Sequence, residues 1–126
     1  MPLADIIIVD DNPAIREAMA EYLLDCGFSV RTASDGVALD LLLQAWPADA
    51  LVLDVNLPHE NGYAIASRVR QALPAIGILI LSAHLKGQPS DAHASMADLQ
   101  VAKPVEPQAL AEALSQVCAL AHARRL

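Results

Sequence analysis

Two adjacent carboxylates, Asp10 and Asp11, close a short apolar run; Asp54 closes a second, Ser82 a third, and Lys103 stands before Pro104 after a fourth. Three acids brought to one place repel one another unless positive charge sits among them. A hard divalent cation is the simplest occupant. Magnesium accepts one or two carboxylates together with water and a phosphate oxygen, whereas zinc favours the His and Cys ligands that this set lacks. Three carboxylates are balanced by one Mg2+ and the Lys103 ammonium, so the set is neutral when metal-filled. A carboxylate so placed is also a competent nucleophile, forming an acyl phosphate when a phosphoryl donor is presented in line. That exchange adds one negative charge, which the metal, Lys103 and the Ser82 hydroxyl would stabilise. Taken singly, each residue has a plainer reading: Asp10 or Asp11 as a helix cap, Ser82 as a strand-end turn residue, Lys103 as a surface charge. Their joint occurrence at the ends of four separate runs points to a site.

The runs that must position these groups have the lengths of strands. Ile6 to Val9 is apolar throughout, as in a strand buried on both faces. Asn12-Pro13 reads as a cap and first-turn proline; Ile15, Met19, Tyr22, Leu23 and Cys26 then recur at helical spacing until Gly27. Phe28 to Ala33 is a weaker strand whose alternation suggests a sheet edge. Ser34-Asp35-Gly36 opens a helix with Val37, Ala38, Leu41, Leu42 and Ala45 as its apolar face, ended by Pro47. Ala50 to Leu53 runs into Asp54. Past a loop bracketed by Pro58 and Gly62, Tyr63, Ile65, Ala66, Val69 and Leu73 predict a third helix closed by Pro74. Ile78 to Leu81 is a further strand, Leu99 to Ala102 a short last one, and Leu110, Leu114, Val117 and Cys118 mark the final helix. Between Ser82 and Leu99 only a short helix from about Pro89 is predicted, with little but alanine on its apolar side. Strands alternating with helices in this way require a parallel sheet with right-handed crossovers and helices on both faces, an α/β fold whose binding crevice lies at the strands' carboxyl ends.

The 126 residues, 1–126, suffice for one domain. A formal charge of -7, from 8 basic and 15 acidic residues, argues against direct contact with nucleic acid or an anionic membrane. The N-terminal run is too short for a membrane span and lacks the basic flank of a signal peptide. Cys26 and Cys118 have no metal-type spacing, so the expected setting is reducing and cytoplasmic.

With these motifs in place, Asp10-Asp11 after Ile-Ile-Val, Asp54-x3-Pro58-x3-Gly62, Ser82-Ala83 and Lys103-Pro104, the chain resembles the receiver domain of bacterial two-component response regulators over essentially its whole length. The resemblance implies a flavodoxin-like fold, five parallel strands in the order 2-1-3-4-5. It implies that Asp54 is the phosphoacceptor, charged from a histidine of a sensor kinase or phosphotransfer protein. By the same resemblance Asp11 ligates Mg2+ directly and Asp10 mainly through water, with Asp54 and the main-chain carbonyl of Asn56 as the other protein ligands. Lys103 would pair with the phosphoryl oxygens and Ser82 would move to hydrogen-bond it. It makes the domain a signalling module, not an enzyme acting on external substrates, though one that assists its own phosphorylation and dephosphorylation. Residues 120–126, ending Ala123-Arg124-Arg125-Leu126, fit either a terminus or the start of a linker.

The chain departs from the family in two places. Three residues before the strand-five lysine, where the family usually has Tyr or Phe, stands Gln100, an amide that prefers a hydrogen bond to apolar burial. The common Gly-Ala-Asp-Asp segment appears as Met96-Ala97-Asp98-Leu99. Both fall on the face built from the weak fourth helix, the fifth strand and the last helix, where the family often meets a second copy or an effector. The expectation is that this face signals by ordering of the weak helix. Asn56 and His84, each two residues past a site residue, are placed to look into the crevice, although His84 also fits an exposed loop. Two other readings remain open at this stage: a receiver-like interaction module that is never phosphorylated, and an Asp-nucleophile phosphatase. The phosphatase family typically has a second Asp two residues after the nucleophile, where this chain has Asn56. The scattered glycines build no nucleotide-binding loop.

Overall fold

The computed structural model describes residues 3–82 and 97–126. The segment that carries the predicted fourth helix, together with Ala83, His84, His93 and Met96, lies outside the described residues. The elements run β1 (Asp5–Val9), α1 (Pro13–Asp25), β2 (Ser29–Ala33), α2 (Gly36–Ala45), β3 (Ala50–Asp54), α3 (Gly62–Ala72), β4 (Gly77–Ser82), β5 (Leu99–Ala102) and, here numbered α4, the final helix Pro107–Arg125. All five strands are parallel in one sheet of order β2-β1-β3-β4-β5. The fold expected from the sequence, with β2 at an edge, is the fold observed.

Adjacent residues of each central strand point to opposite faces, and both faces are covered. Ile7, Val9, Leu51, Leu53, Ile78 and Ile80 pack against Leu39 of α2 and Ile65, Ala66 and Val69 of α3. Ile6, Ile8, Ala50, Val52, Leu79 and Leu81 pack against Leu23 of α1 and Leu110, Leu114 and Val117 of α4. Each fully buried aliphatic side chain contributes about 2 kcal/mol from its removal from water, so the central strands anchor the molecule. The helices begin where side chains satisfy their free amides. Asn12 Oδ1 accepts from Ala14 and Ile15, Asp35 Oδ1 from Ala38, and Asn61 Oδ1 from Ala64. Gly27, at φ 106°, supplies the left-handed residue that ends α1.

Two helix faces differ from expectation. In α2, Val37 and Leu41 are 70% and 62% exposed, and Leu39 fills the core instead, flanked by Ala38 and Leu42. The run Gly-Val-Ala-Leu-Asp-Leu-Leu-Leu-Gln-Ala is apolar almost all round, so periodicity leaves its rotation open and the crossover from β2 to β3 sets it. In α1, Ile15 is exposed and only Leu23 is fully buried. The lower ends of β4 and β5 are joined by Asp98, whose carboxylate accepts from the Ile78 amide and pairs with Arg70 and Arg124. Burial raises the Asp98 pKa, but the Arg124 and Ile78 hydrogen bonds and both guanidinium charges outweigh it and hold the carboxyl below its ordinary value.

The rotation of α2 has a direct check. Leu39→Ala is expected to cost about 3 kcal/mol and Leu41→Ala less than about 0.5 kcal/mol in urea denaturation; equal losses would reject this orientation.

Candidate functional site

The pairing register brings the polar strand ends together. Val9 lies opposite Leu53, so the next residues, Asp10 and Asp54, sit side by side just beyond the β1–β3 ladder. Asp54 itself pairs with Leu81, and Ser82 with Ala102, which puts Ser82 and Lys103 on the neighbouring strand ends. The Lys103 amide donates to the Ser82 carbonyl at 2.8 Å and the Val55 amide to the Leu81 carbonyl at 3.1 Å, which carries the ladder past the last paired residues. Gly62 closes the site from behind: a Cβ there would collide with the Asp54 carbonyl, so the first turn of α3 can approach only without a side chain.

One carboxylate oxygen from each of Asp10, Asp11 and Asp54 lies within 4.8 Å of the others. Asp10 is 1% exposed, Asp54 5%, and Ser82 is also buried, while Asp11 faces solvent. Lys103 Nζ donates to Asp54 Oδ1 at 2.7 Å and stands 3.9 Å from Asp10 Oδ2. One ammonium against three carboxylates leaves two negative charges uncompensated within the cluster. Asp10 Oδ1 accepts from the Asn12 amide at 2.9 Å, but its buried Oδ2 accepts no hydrogen bond among the described residues. Burial pushes the Asp10 carboxyl above its ordinary value against the pull of that amide; the Asp54 charge adds to the rise, Lys103 opposes it, and Asp11 adds again. A buried, unbonded carboxylate oxygen in an all-oxygen cluster short of positive charge is compatible with Mg2+.

The sequence-predicted residues Asp10, Asp11, Asp54, Ser82 and Lys103 are thus brought together. Asn56 follows two residues after Asp54 in the loop leaving the same strand, with its side chain exposed. Two participants escaped the sequence reading. Arg16 Nη1 donates to the Asp10 main-chain carbonyl at 3.0 Å, fixing the residue that presents the most buried acid. The Tyr63 hydroxyl donates to Gln100 Oε1 at 3.1 Å. Tyr63 is a core residue, as its helical spacing suggested, and its polar tip answers the requirement that Gln100 find a partner. The signal was the amide at an inward position of β5: Leu99 and Val101 pack on the α1–α4 side, so Gln100 faces the α3 side.

The model of the response regulator receiver domain matches residues 6–115. The chain belongs to that family. Receiver-containing relatives include Response regulator MprA of Mycobacterium avium, 42% identical over 79 residues that make up 62% of this chain and 34% of MprA. Sensor histidine kinase RcsC of Escherichia coli is 38% identical over 76 residues, 58% of this chain and 8% of RcsC. The receiver domain described here therefore spans a minor part of either relative. Among solved structures, the chemotaxis response regulator CheY4 of Vibrio cholerae superposes with a TM-score of 0.82 at 28% identity, over 90% of this chain and 98% of that one. The response regulator TrrA of Thermotoga maritima, solved in complex with Mg(2+)-BeF, gives 0.82 at 28% identity over 93% and 99%. Among the described residues, no helix of the receiver domain is long and apolar enough to cross a membrane.

The raised Asp10 pKa carries a signed consequence. Because the folded state holds the Asp10 proton more tightly than the unfolded chain, metal-free stability falls as pH rises from 3.8, the ordinary value, through the raised one. Asp10→Asn should therefore stabilise the chelator-treated protein by roughly 1–2 kcal/mol at neutral pH, with the gain shrinking in acid. Urea denaturation across that pH range checks it; a destabilised variant at neutral pH would contradict the assignment.

Proposed function

We propose that this receiver domain accepts a phosphoryl group on Asp54 from a phosphohistidine of a sensor kinase or phosphotransfer protein. The observation that carries the reading is the Asp10, Asp11, Asp54 cluster with Lys103 Nζ 2.7 Å from the Asp54 carboxylate. Asp10, Asp11 and Asp54, with the Asn56 carbonyl, would hold Mg2+, which supplies Lewis-acid neutralisation of the phosphoryl oxygens. The complex of TrrA with Mg(2+)-BeF supports that choice of ion. Asp54 is the nucleophile: its oxygen forms the new bond to phosphorus as the bond to the donor imidazole breaks, and the imidazole leaves with the electron pair. Lys103, already paired with Asp54, follows the charge onto the phosphoryl group, and the Ser82 hydroxyl donates to a phosphoryl oxygen. The exchange is assigned to the cytoplasm, the reducing setting expected from two cysteines without a metal or disulfide pattern. Water attacking the same phosphorus breaks the bond to the Asp54 oxygen, releasing inorganic phosphate and restoring the carboxylate, so the domain assists both its phosphorylation and its dephosphorylation without turning over external substrates.

Beside Lys103 lies an open cleft of about 480 Å³ lined by Ile15, Met19, Leu81, Pro104 and Val105. Ile15 is half-exposed at its mouth. An apolar shelf next to the nucleophile suits the helix that presents the donor histidine, since it can bury that helix's apolar residues while the imidazole reaches Asp54. The face containing β5 and α4 remains the proposed surface for a second copy or an effector.

Incubation with Mg2+ and a small-molecule phosphodonor should label Asp54, with labelling abolished by chelator and by Asp54→Asn. Labelling on another residue, or none, would reject the phosphoacceptor assignment; rapid turnover of many phosphate esters would favour a phosphatase. Ile15→Glu should slow transfer from a cognate protein donor at least about tenfold and leave labelling by the small donor unchanged. Equal effects on both donors would remove the docking role of the cleft.

A further inference from the structure

We propose that Arg68 is a positioning residue for the metal side of the site, acting through Glu60 on the loop that carries Asn56. The inference rests on the Mg2+ and phosphoacceptor reading above. The loop between β3 and α3 is closed mainly on itself: the Leu57 and Gly62 amides both donate to the Val55 carbonyl, and the Glu60 amide to the Pro58 carbonyl. Within it His59 adopts φ 70°, a left-handed conformation that a non-glycine residue holds only where its surroundings enforce it. These bonds, with the Asn61 cap on α3, fix the ends of the loop, but they tie Pro58, His59 and Glu60 neither to α2 nor to the body of α3.

That connection is made by the next side chain. Arg68 of α3 grips the Glu60 carboxylate with both arms of its fork, Nε to Oε2 at 3.0 Å and Nη2 to Oε1 at 2.9 Å. Its remaining arm, Nη1, donates to Asp40 Oδ1 of α2 at 2.7 Å. A Cβ on Gly36 would lie 2.7 Å from Glu60 Oε1, so the carboxylate rests on the bare first turn of α2, the helix end that favours negative charge. Two helices thus converge on one loop residue. The side chains of Arg68, Asp40 and Glu60 are 40%, 45% and 32% exposed, and ion pairs this wet contribute little to global stability. What the bidentate grip supplies is direction. It holds the residue after His59, and with it the loop segment that carries Asn56, whose carbonyl is the ligand proposed above.

The test compares wild type with Arg68→Met, Glu60→Gln, the double variant and Arg68→Lys in the full chain. Mg2+ affinity is read by calorimetry, loop order by hydrogen exchange at the Leu57, Glu60 and Gly62 amides, and global stability by urea denaturation. Arg68→Met is expected to weaken Mg2+ binding about three- to tenfold and to speed loop exchange while barely moving the denaturation midpoint. Glu60→Gln should do the same, the double variant no more than either single, and Arg68→Lys, which lacks the fork, should recover only part of the loss. Unchanged Mg2+ affinity in folded Arg68→Met would overturn the proposal and leave the phosphoacceptor reading standing. Additive losses in the double variant, or weaker binding with unchanged loop exchange, would also overturn it. If wild type itself bound no Mg2+, both readings would fall together.

Discussion

Like charges held close together at the end of a hydrophobic sheet are the constraint around which this molecule is arranged. Asp10 and Asp54 are adjacent because β1 and β3 pair in one register, and both are almost fully buried. Bulk solvent does little to separate them, and among the described residues Lys103 is the cation between them. The apolar strands beneath supply the free energy that keeps such an unfavourable pair in place. Lys103 itself reaches them because its amide extends the β4–β5 ladder. The local cost is what makes the place useful. A cluster that is electrostatically satisfied on its own would have little appetite for a cation or for a phosphoryl group, whereas this one, among the described residues, is short of positive charge and holds an oxygen without a hydrogen bond.

Much of this was legible in the sequence, for physical reasons that can be named. A continuous run such as Ile-Leu-Ile-Leu ending at Ser82 has few alternatives to a buried parallel strand, and polar residues at the ends of such strands must meet along one edge. The five chemical residues were therefore readable from type and position. Helix rotation was not. In α2 nearly every side chain is apolar, so the choice between Leu39 and Leu41 is made by the layer beneath. Long-range polar partnerships were equally hidden. Nothing in local spacing ties Tyr63 to Gln100, 37 positions away, or Arg68 to Asp40, 28 away. Gln100 announced only that it needed a partner. The tyrosine that meets it comes from α3, the helix that follows Asp54 and its loop, so β5 and α3 are joined here by a polar contact at a position where an aromatic residue is usual in the family.

The two cores deserve to be considered as one mechanical element. Ile8 and Val9 of β1 are neighbours in the chain but belong to different layers, as do Val52 and Leu53 of β3. A slip of one residue between these strands would send each apolar set to the opposite core layer, where it was not shaped to pack, and carry Asp54 about 3.3 Å along the sheet from its place beside Asp10. Misalignment of the fold and disassembly of the acid cluster are thus the same displacement. The carboxylates serve as a gauge of strand alignment: a chain in which they stand together at the cluster's spacing has its central register correct, on both faces at once.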